Sequence, residues 1–526
     1  MLRHEQAIAG GPALARHEFR LGRYAALLIS LGFPLSVRVA AASAQAEART
    51  ASETQSSLAF RVTFDPNLQP RPYSGRVLVV VANALSDEPR LEINNWFRPP
   101  HVFGKDVKEW LAGESTLVDD AALFFPRRLS ELPSGEYRIQ AVARRSLDDP
   151  VPGQGTGDLY SAPVALALDP AQTGPLDLRL DRVVAAQPFE ESSGVKSVEF
   201  VSSLLSKFHG RDIQMRAAVV LPAGWTDDPR KRYPVLYMIP GFGGDHRMAK
   251  SVARMRSADS PGHHVLFVVP DPTCFRGHSV FADSENNGPW GQALVEELIP
   301  RVEKRFHGEG SGRHRYVTGV SSGGWSALWL QVTYPDEFNG CWAHCPDPVD
   351  FRDFQQINLY AEGANMFFDD SGLRRPLARF GEKIMIYYED FVRHDEILAP
   401  GGQIHSFEAV FSPRLTDGRP APLFDRATGK VNPDIARAWE RYDVRLVLER
   451  NWPTLGLKLR GKLYIYAGQK DTFYLEGAVA RLKGTLTNLG SDADVTVVPD
   501  MAHGLHAPAI EPMYRVILET FADGQE

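Results

Sequence analysis

The sequence predicts two parts of different fold class: a small all-β domain, then an α/β unit built on a mostly parallel sheet. Three observations predict this. Short apolar-alternating runs between Pro, Gly and Asp turns fill residues 55–185. From residue 196 onward, buried-type strands alternate with amphipathic helices, the pattern of a sheet covered on both faces. One of those strands, 315–320, runs through Gly319-Val320-Ser321-Ser322-Gly323 straight into a helix.

Composition narrows the class. Of 526 residues, 43% are hydrophobic and 23% charged, as in ordinary globular proteins. The net charge of −7, from 65 acidic and 58 basic side chains, argues against a nucleic-acid partner, whose footprint is clustered Lys and Arg. Three cysteines are too few for a disulfide scaffold.

Residues 1–46 read as a signal peptide. Arg16, Arg20 and Arg23 precede the apolar run 24–37, and Ala42-Ser43-Ala44 or Ala44-Gln45-Ala46 offers a small-residue cleavage site. The run is too short for a membrane-spanning helix, and no later stretch reaches the necessary length. Export to the periplasm or the medium, with no integral membrane span, is the expectation.

The first domain, 47–185, is predicted as an immunoglobulin-like sandwich. Strands are expected at 57–64 (SLAFRVTF), 75–82 (GRVLVVVA), 135–143 (GEYRIQAVA) and 176–183. Trp96 and Phe97, before Pro99-Pro100, plug a loop or form a binding surface. A polar stretch around 184–195 leads to the second domain, 190–526. Its strands are expected at 198–202, 213–221, 234–239, 264–269, 315–320, 341–344, 462–467 and 495–498, and its helices at 292–306, 324–334, 475–489 and 511–521. Residues 346–460 are too long for a simple connection and are expected to form a cap over one end of the sheet.

The chemistry-bearing residues sit at strand ends. In a G-x-S-x-G elbow the serine occupies a strained turn, and the glycines remove side chains that would clash. Ser321 is therefore the candidate nucleophile. A serine hydroxyl needs a general base, and the base needs an orienting carboxylate. With such an elbow they follow in the order Ser, Asp or Glu, His. Asp471 lies just after strand 462–467, and His503 just after strand 495–498. His506 shares the His503 loop, but it precedes Ala507-Pro508 and the closing helix, so His503 is preferred. Two N–H donors must meet the oxyanion. Ser322 is one; the other comes from Gly241-Phe242-Gly243-Gly244, with Phe242 assigned and Gly243 the alternative. The loop 283–290 ends in Trp290, which either walls a substrate pocket or caps the helix it opens. The cluster Cys341-Trp342-Ala343-His344-Cys345 reads as core packing, because a strand would put the cysteines and His344 on opposite faces. No metal or cofactor is expected.

At this point the sequence resembles the esterase D-like branch of the α/β-hydrolases, which includes enterochelin esterases, feruloyl esterases, S-formylglutathione hydrolases and mycolyltransferases. The resemblance covers about 196–345 and 460–526. It rests on Tyr233-Pro234-Val235-Leu236-Tyr237 leading to the 241–244 loop, on Glu297-Leu298-Ile299-Pro300 with Arg301-Val302-Glu303, on the 319–323 elbow with Gly324, and on the Asp471 and His503 loops. Enterochelin esterases also resemble it in carrying an N-terminal β-sandwich. Pro240 departs from the pattern, since many members have His there, and the 346–460 insertion is longer than in small members. The resemblance implies an α/β-hydrolase fold and hydrolysis of a small-molecule or carbohydrate-linked ester through an acyl-enzyme. Acyl transfer to a sugar or lipid, peptidase activity and a non-catalytic binding role remain open beside it.

Overall fold

Buried apolar strands and the turns between them build two large sheets, beside three two-stranded ribbons, in the computed structural model, which describes residues 58–171, 173–256 and 261–524. The signal peptide expected at 1–46 lies outside the described residues.

The first sheet has nine strands. Its path runs Thr116–Val118, Phe60–Phe64, Leu176–Val183, Leu159–Ser161, Gly135–Ala143, Tyr73–Asn83, His101–Trp110, Leu123–Phe125; Val164–Leu168 also pairs with Gly135–Ala143. Neighbours are antiparallel except Phe60–Phe64 with Leu176–Val183. Phe60 and Phe103 lie on strands five places apart in this order, yet their rings are 6.3 Å from each other. The sheet therefore curls, and its two halves enclose one core of Phe60, Val62, Val79, Phe103 and Leu180. His101–Trp110 was not among the expected strands. Its buried residues are Val102, Phe103 and Gly104 near the start and Trp110 at the end, and Lys105, Asp106, Lys108 and Glu109 break the apolar alternation between them.

The second sheet has eight strands: β1 (Val195–Val201), β2 (Gln214–Val220), β3 (Val235–Ile239), β4 (Leu266–Pro270), β5 (Arg315–Val320), β6 (Cys341–His344), β7 (Leu463–Gly468) and β8 (Asp494–Val498). They lie in the order β1-β2-β4-β3-β5-β6-β7-β8. β1 and β2 are antiparallel to their neighbours, and the rest run parallel. This is the α/β-hydrolase arrangement. Parallel strands bury both faces, which explains their nearly unbroken Val, Leu, Ile and Tyr content. The expected helix at 292–306 is continuous from Trp290 to Phe306, but it widens to a π-turn at Leu294–Leu298, just before Pro300. Proline lacks the N–H that an undisturbed ladder would use.

Four helices position the site: α1 (Ser322–Thr333) after β5, α2 (Tyr388–Leu398) in the insertion, α3 (Glu476–Asn488) after β7, and α4 (Ile510–Asp523) at the end. The insertion shares the hydrolase core rather than standing off it. Trp325 of α1 packs on Phe411 with centroids 5.2 Å apart, and Phe411 meets Trp439 at 5.1 Å. Its helix α2 also covers the outer face of the first sheet. Ile397 and Leu398 complete a cluster with Leu78, Val80, Val102 and Phe125, and Arg76 donates to the carbonyls of Glu396 and Ile397. Gln55–Glu526 accordingly form one compact unit. Ile397→Ala, which empties a well-packed site, is expected to cost about 2–5 kcal/mol. Chemical denaturation should show this as a lower midpoint, with kcat on a soluble ester retained.

Candidate active site

The elbow is built by steric exclusion. Ser321 has φ 62° and ψ −129°, in the region that side-chain-bearing residues avoid. A Cβ at Gly319 would lie 2.2 Å from the carbonyl oxygen of Gly323, and one at Gly323 would lie 2.0 Å from that of Ile239. Only glycines allow α1 to start so close to β3 and β5. The turn is held by the Ser321 N–H donating to His344 O at 3.0 Å and the Trp325 N–H donating to Ser321 O at 2.9 Å.

The loops after β7 and β8 meet beside it. His503 Nδ1 lies 2.9 Å from Asp471 Oδ2. The carboxylate accepts, so Nδ1 carries the proton and Nε2 is left as the basic nitrogen. Asp471 is fully buried, and its other oxygen accepts from the Phe473 N–H at 2.8 Å. Arg379 of the insertion donates to the Asp471 carbonyl at 3.0 Å and pairs with Glu476, which fixes the acid loop from behind. His506 is held elsewhere: its ring packs on Tyr466 at 5.0 Å, and its N–H donates to His344 Nδ1 at 3.2 Å.

The glycine loop passes next to the serine. A Cβ added to Gly241 would be 3.5 Å from the Ser321 Cβ. The Gly244 N–H donates to Gly241 O at 2.9 Å, and Gly243 has φ 79°, so the loop doubles back and carries Phe242 and Gly243 at its bend. Both flanks are pinned. His278 Nδ1 accepts from the Val280 N–H, so its Nε2 donates to Pro240 O at 2.8 Å; burial pushes this imidazole down to about 4, which keeps it neutral. On the far side, buried His246 pairs with Asp271 at 2.9 Å.

A carboxyl group that the sequence reading did not single out completes the centre. Asp347 is buried, accepts from Ser322 Oγ at 2.5 Å and lies 3.4 Å from Ser321 Oγ. Burial pushes its pKa up to about 6, against the pull of the Ser322 hydroxyl and the His503 charge. Ser321 Oγ is thus turned to Asp347 and is not hydrogen-bonded to His503. The signal was present in Cys345-Pro346-Asp347-Pro348, directly after β6, at the same sheet edge as the other three residues. Cys345 also departs from its expected core role. The strand ends at His344, and Cys345 turns at φ 39° to sit beside Asp471 and His503. Ligand atoms of Cys345, Asp471 and His503 fall within 4.8 Å of one another. A cation there would take the atoms that join His503 to Asp471, so the set fits the acid–base pair better than a metal.

The Esterase family model, described as "Putative esterase", matches residues 210–475, half of the chain. The chain belongs to this esterase family. It is a carboxylic ester hydrolase, with a small-molecule ester as the expected substrate class. Solved structures similar to the esterase include a ferulic acid esterase, 14% identical over 62% of this chain and 98% of that one, with a TM-score of 0.39. An S-formylglutathione hydrolase from Agrobacterium tumefaciens is 15% identical over 63% and 97%, with a TM-score of 0.38. A fluorophosphonate-binding serine hydrolase from Staphylococcus aureus is 13% identical over 62% and 97%, with a TM-score of 0.36.

The rim of the esterase's site is aromatic. Trp96, from the first domain, stacks on Phe242 at 5.7 Å and meets Phe391 and Phe473 edge-on at 5.0 and 6.1 Å. Phe473 in turn stands edge-on to His503 at 5.0 Å. Phe97 is 45% exposed at the same rim, 6.5 Å from Phe473. Trp290 is placed elsewhere. It is buried, packs on Phe281 and lines a separate cavity whose wall includes none of Ser321, Asp471 and His503. Among the described residues, no helix is long and apolar enough to cross a membrane.

Replacement of Asp347 separates its charge from its hydrogen bonds. Asp347→Asn keeps the shape but cannot ionise. It is expected to lower kcat about tenfold or less while removing any inflection near pH 6 from the kcat/KM profile. An unchanged inflection would assign that titration to another group.

Proposed function

We propose that the esterase is a secreted or periplasmic serine hydrolase that works through Ser321, His503 and Asp471 and an acyl-enzyme. The observation that carries this is the 2.9 Å His503–Asp471 bond beside a serine held at positive φ on the elbow. Ser321 Oγ swings from Asp347 towards His503 Nε2 and attacks the ester carbonyl as the imidazole takes its proton. The N–H groups of Ser322 and of Phe242 or Gly243 receive the developing oxyanion, where preorganised donors act most strongly. His503 then protonates the leaving alcohol, and water repeats the sequence on the acyl-enzyme. The basic n-region and apolar run at the N-terminus support export.

The aromatic rim of Trp96, Phe242 and Phe473 supports a flat apolar group next to the scissile carbonyl, since offset and edge-on ring contacts favour planar ligands. The test is a panel of p-nitrophenyl acyl esters, feruloyl sugars and catecholate esters. It is joined to mass-spectrometric mapping of a fluorophosphonate label. Labelling at Ser321 with turnover of aromatic esters is expected. A label on another serine, or none, would overturn the triad. Partition of the acyl group to an added sugar or lipid acceptor, rather than to water, would make the protein an acyltransferase.

A further inference from the structure

A cavity of about 210 Å³ opens where three parts of the chain meet: Leu147 and Asp148 of the first domain, strand and loop residues of the hydrolase unit, and Arg414 of the insertion. Its wall carries four arginines, Arg211, Arg216, Arg276 and Arg414, against a single carboxylate, Asp148. Two of the four are neutralised. Arg211 pairs with Asp148 at 2.8 Å, and Arg216 pairs with Glu199 at 2.8 Å. Among the described residues, neither the Arg276 nor the Arg414 guanidinium meets a carboxylate. Arg276 donates only to the Gly418 carbonyl, at 3.2 Å. Burial and the nearby charge of Arg414 both work against the Arg276 cation. Arg276 is half-buried and Arg414 exposed beside it, and two neighbouring guanidinium groups with no carboxylate between them leave a place for an anion to join them.

The rest of the wall points the same way. Asn287 and Trp290 are each 3% exposed, and Asn287 Nδ2 and Trp290 Nε1 are buried donors without acceptors. Buried orphan donors are rare in folded proteins, and each invites an explanation. One acceptor, Asn286 Oδ1, is also unpaired, while its amide nitrogen donates to Ser412 O. Phe208, 39% exposed, and Phe275 add apolar faces. An inorganic ion would leave those faces unused. The volume is below the roughly 300–1,000 Å³ of a drug-sized site, so the ligand is small.

We propose that this cavity is a second binding site, distinct from the triad, for a small organic carboxylate borne on a ring. The carboxylate sits between Arg276 and Arg414, and the ring lies against Phe208 and Trp290. Guanidinium forks suit carboxylates in this role because two parallel N–H bonds meet two oxygens. The triad is not involved, so the proposal stands or falls separately from the proposed catalytic mechanism.

The experiment is calorimetric titration of the full chain with glucuronate and benzoate, beside their neutral counterparts glucose and benzyl alcohol, and with inorganic phosphate. One carboxylate is expected to bind at least tenfold more tightly than its neutral counterpart and than phosphate. Arg276→Gln and Arg414→Gln should each weaken it at least tenfold, with hydrolysis of p-nitrophenyl acetate unchanged. Arg414 is exposed, so its variant keeps the test intact if Arg276→Gln fails to fold. Equal binding of charged and neutral probes, phosphate binding as tight as the carboxylates, or carboxylate binding indifferent to Arg414→Gln would each overturn the proposal.

Discussion

Ser321→Ala is expected to lower ester hydrolysis by about a million-fold, as loss of a triad nucleophile does in other serine hydrolases, while the unfolding temperature moves by no more than about 2 °C. The asymmetry follows from what the hydroxyl touches. Its one side-chain contact is the 3.4 Å approach to Asp347, too long to contribute much stability. The strained backbone, the flanking glycines and the start of α1 are all untouched by removing one oxygen. In the proposed mechanism, by contrast, that oxygen makes and breaks the bond to the acyl group in every cycle. Activity within tenfold of the native protein, measured on material free of contaminating esterases, would take Ser321 out of the role.

The second large effect concerns the base and its pH dependence. Burial alone would depress the His503 imidazole, but the bond and charge of Asp471, with Cys345 alongside, hold it raised, at about 10. A general base must be neutral to accept a proton, so kcat/KM is expected to climb with pH through the neutral and alkaline range. Asp471→Asn removes the carboxylate charge. The limb should then move to lower pH while kcat falls about 10⁴-fold, because the imidazole loses its tautomer and its partner. His503→Ala should lose several orders of magnitude, and His506→Ala, whose ring packs on Tyr466, should change kcat only modestly. A limb that stays in place in Asp471→Asn, or the reverse ranking of the two histidines, would sink this assignment. Stability follows the same linkage with opposite visibility. A pair that raises the folded-state pKa stabilises the fold fully below about pH 6.5, and that contribution is lost as pH rises through the folded value.

Much of the hydrolase unit was legible because parallel strands buried on both faces leave a strong signal. Runs such as Val235–Ile239 and Leu266–Pro270 contain almost no polar residue, and the expected spans at 315–320 and 341–344 coincide with β5 and β6. The first domain was less legible. Strands of three to five residues, such as Thr116–Val118 and Val164–Leu168, carry too few positions to establish a period, and four of the five residues in the latter are at least partly exposed. Its strands belong to one curled sheet, a closure that depends on contacts such as Phe60 with Phe103 between segments far apart in sequence.

By itself the sequence determined the local devices: the glycines that permit the elbow, the strand ends that carry Ser321, Asp471 and His503, and the glycine loop at 241–244. These depend on steric limits and periodicity within a dozen residues. The tertiary structure alone decided which side chains face one another across those loops. It turned Cys345 out of its strand and onto His503, placed the Asp347 carboxyl against Ser321, and brought Trp96 from the segment of the first sheet onto Phe242. It also placed Trp290 away from Ser321, Asp471 and His503, in the arginine-lined cavity. Those pairings are set by how sheets curl and loops pack, and chain spacing carries no record of that.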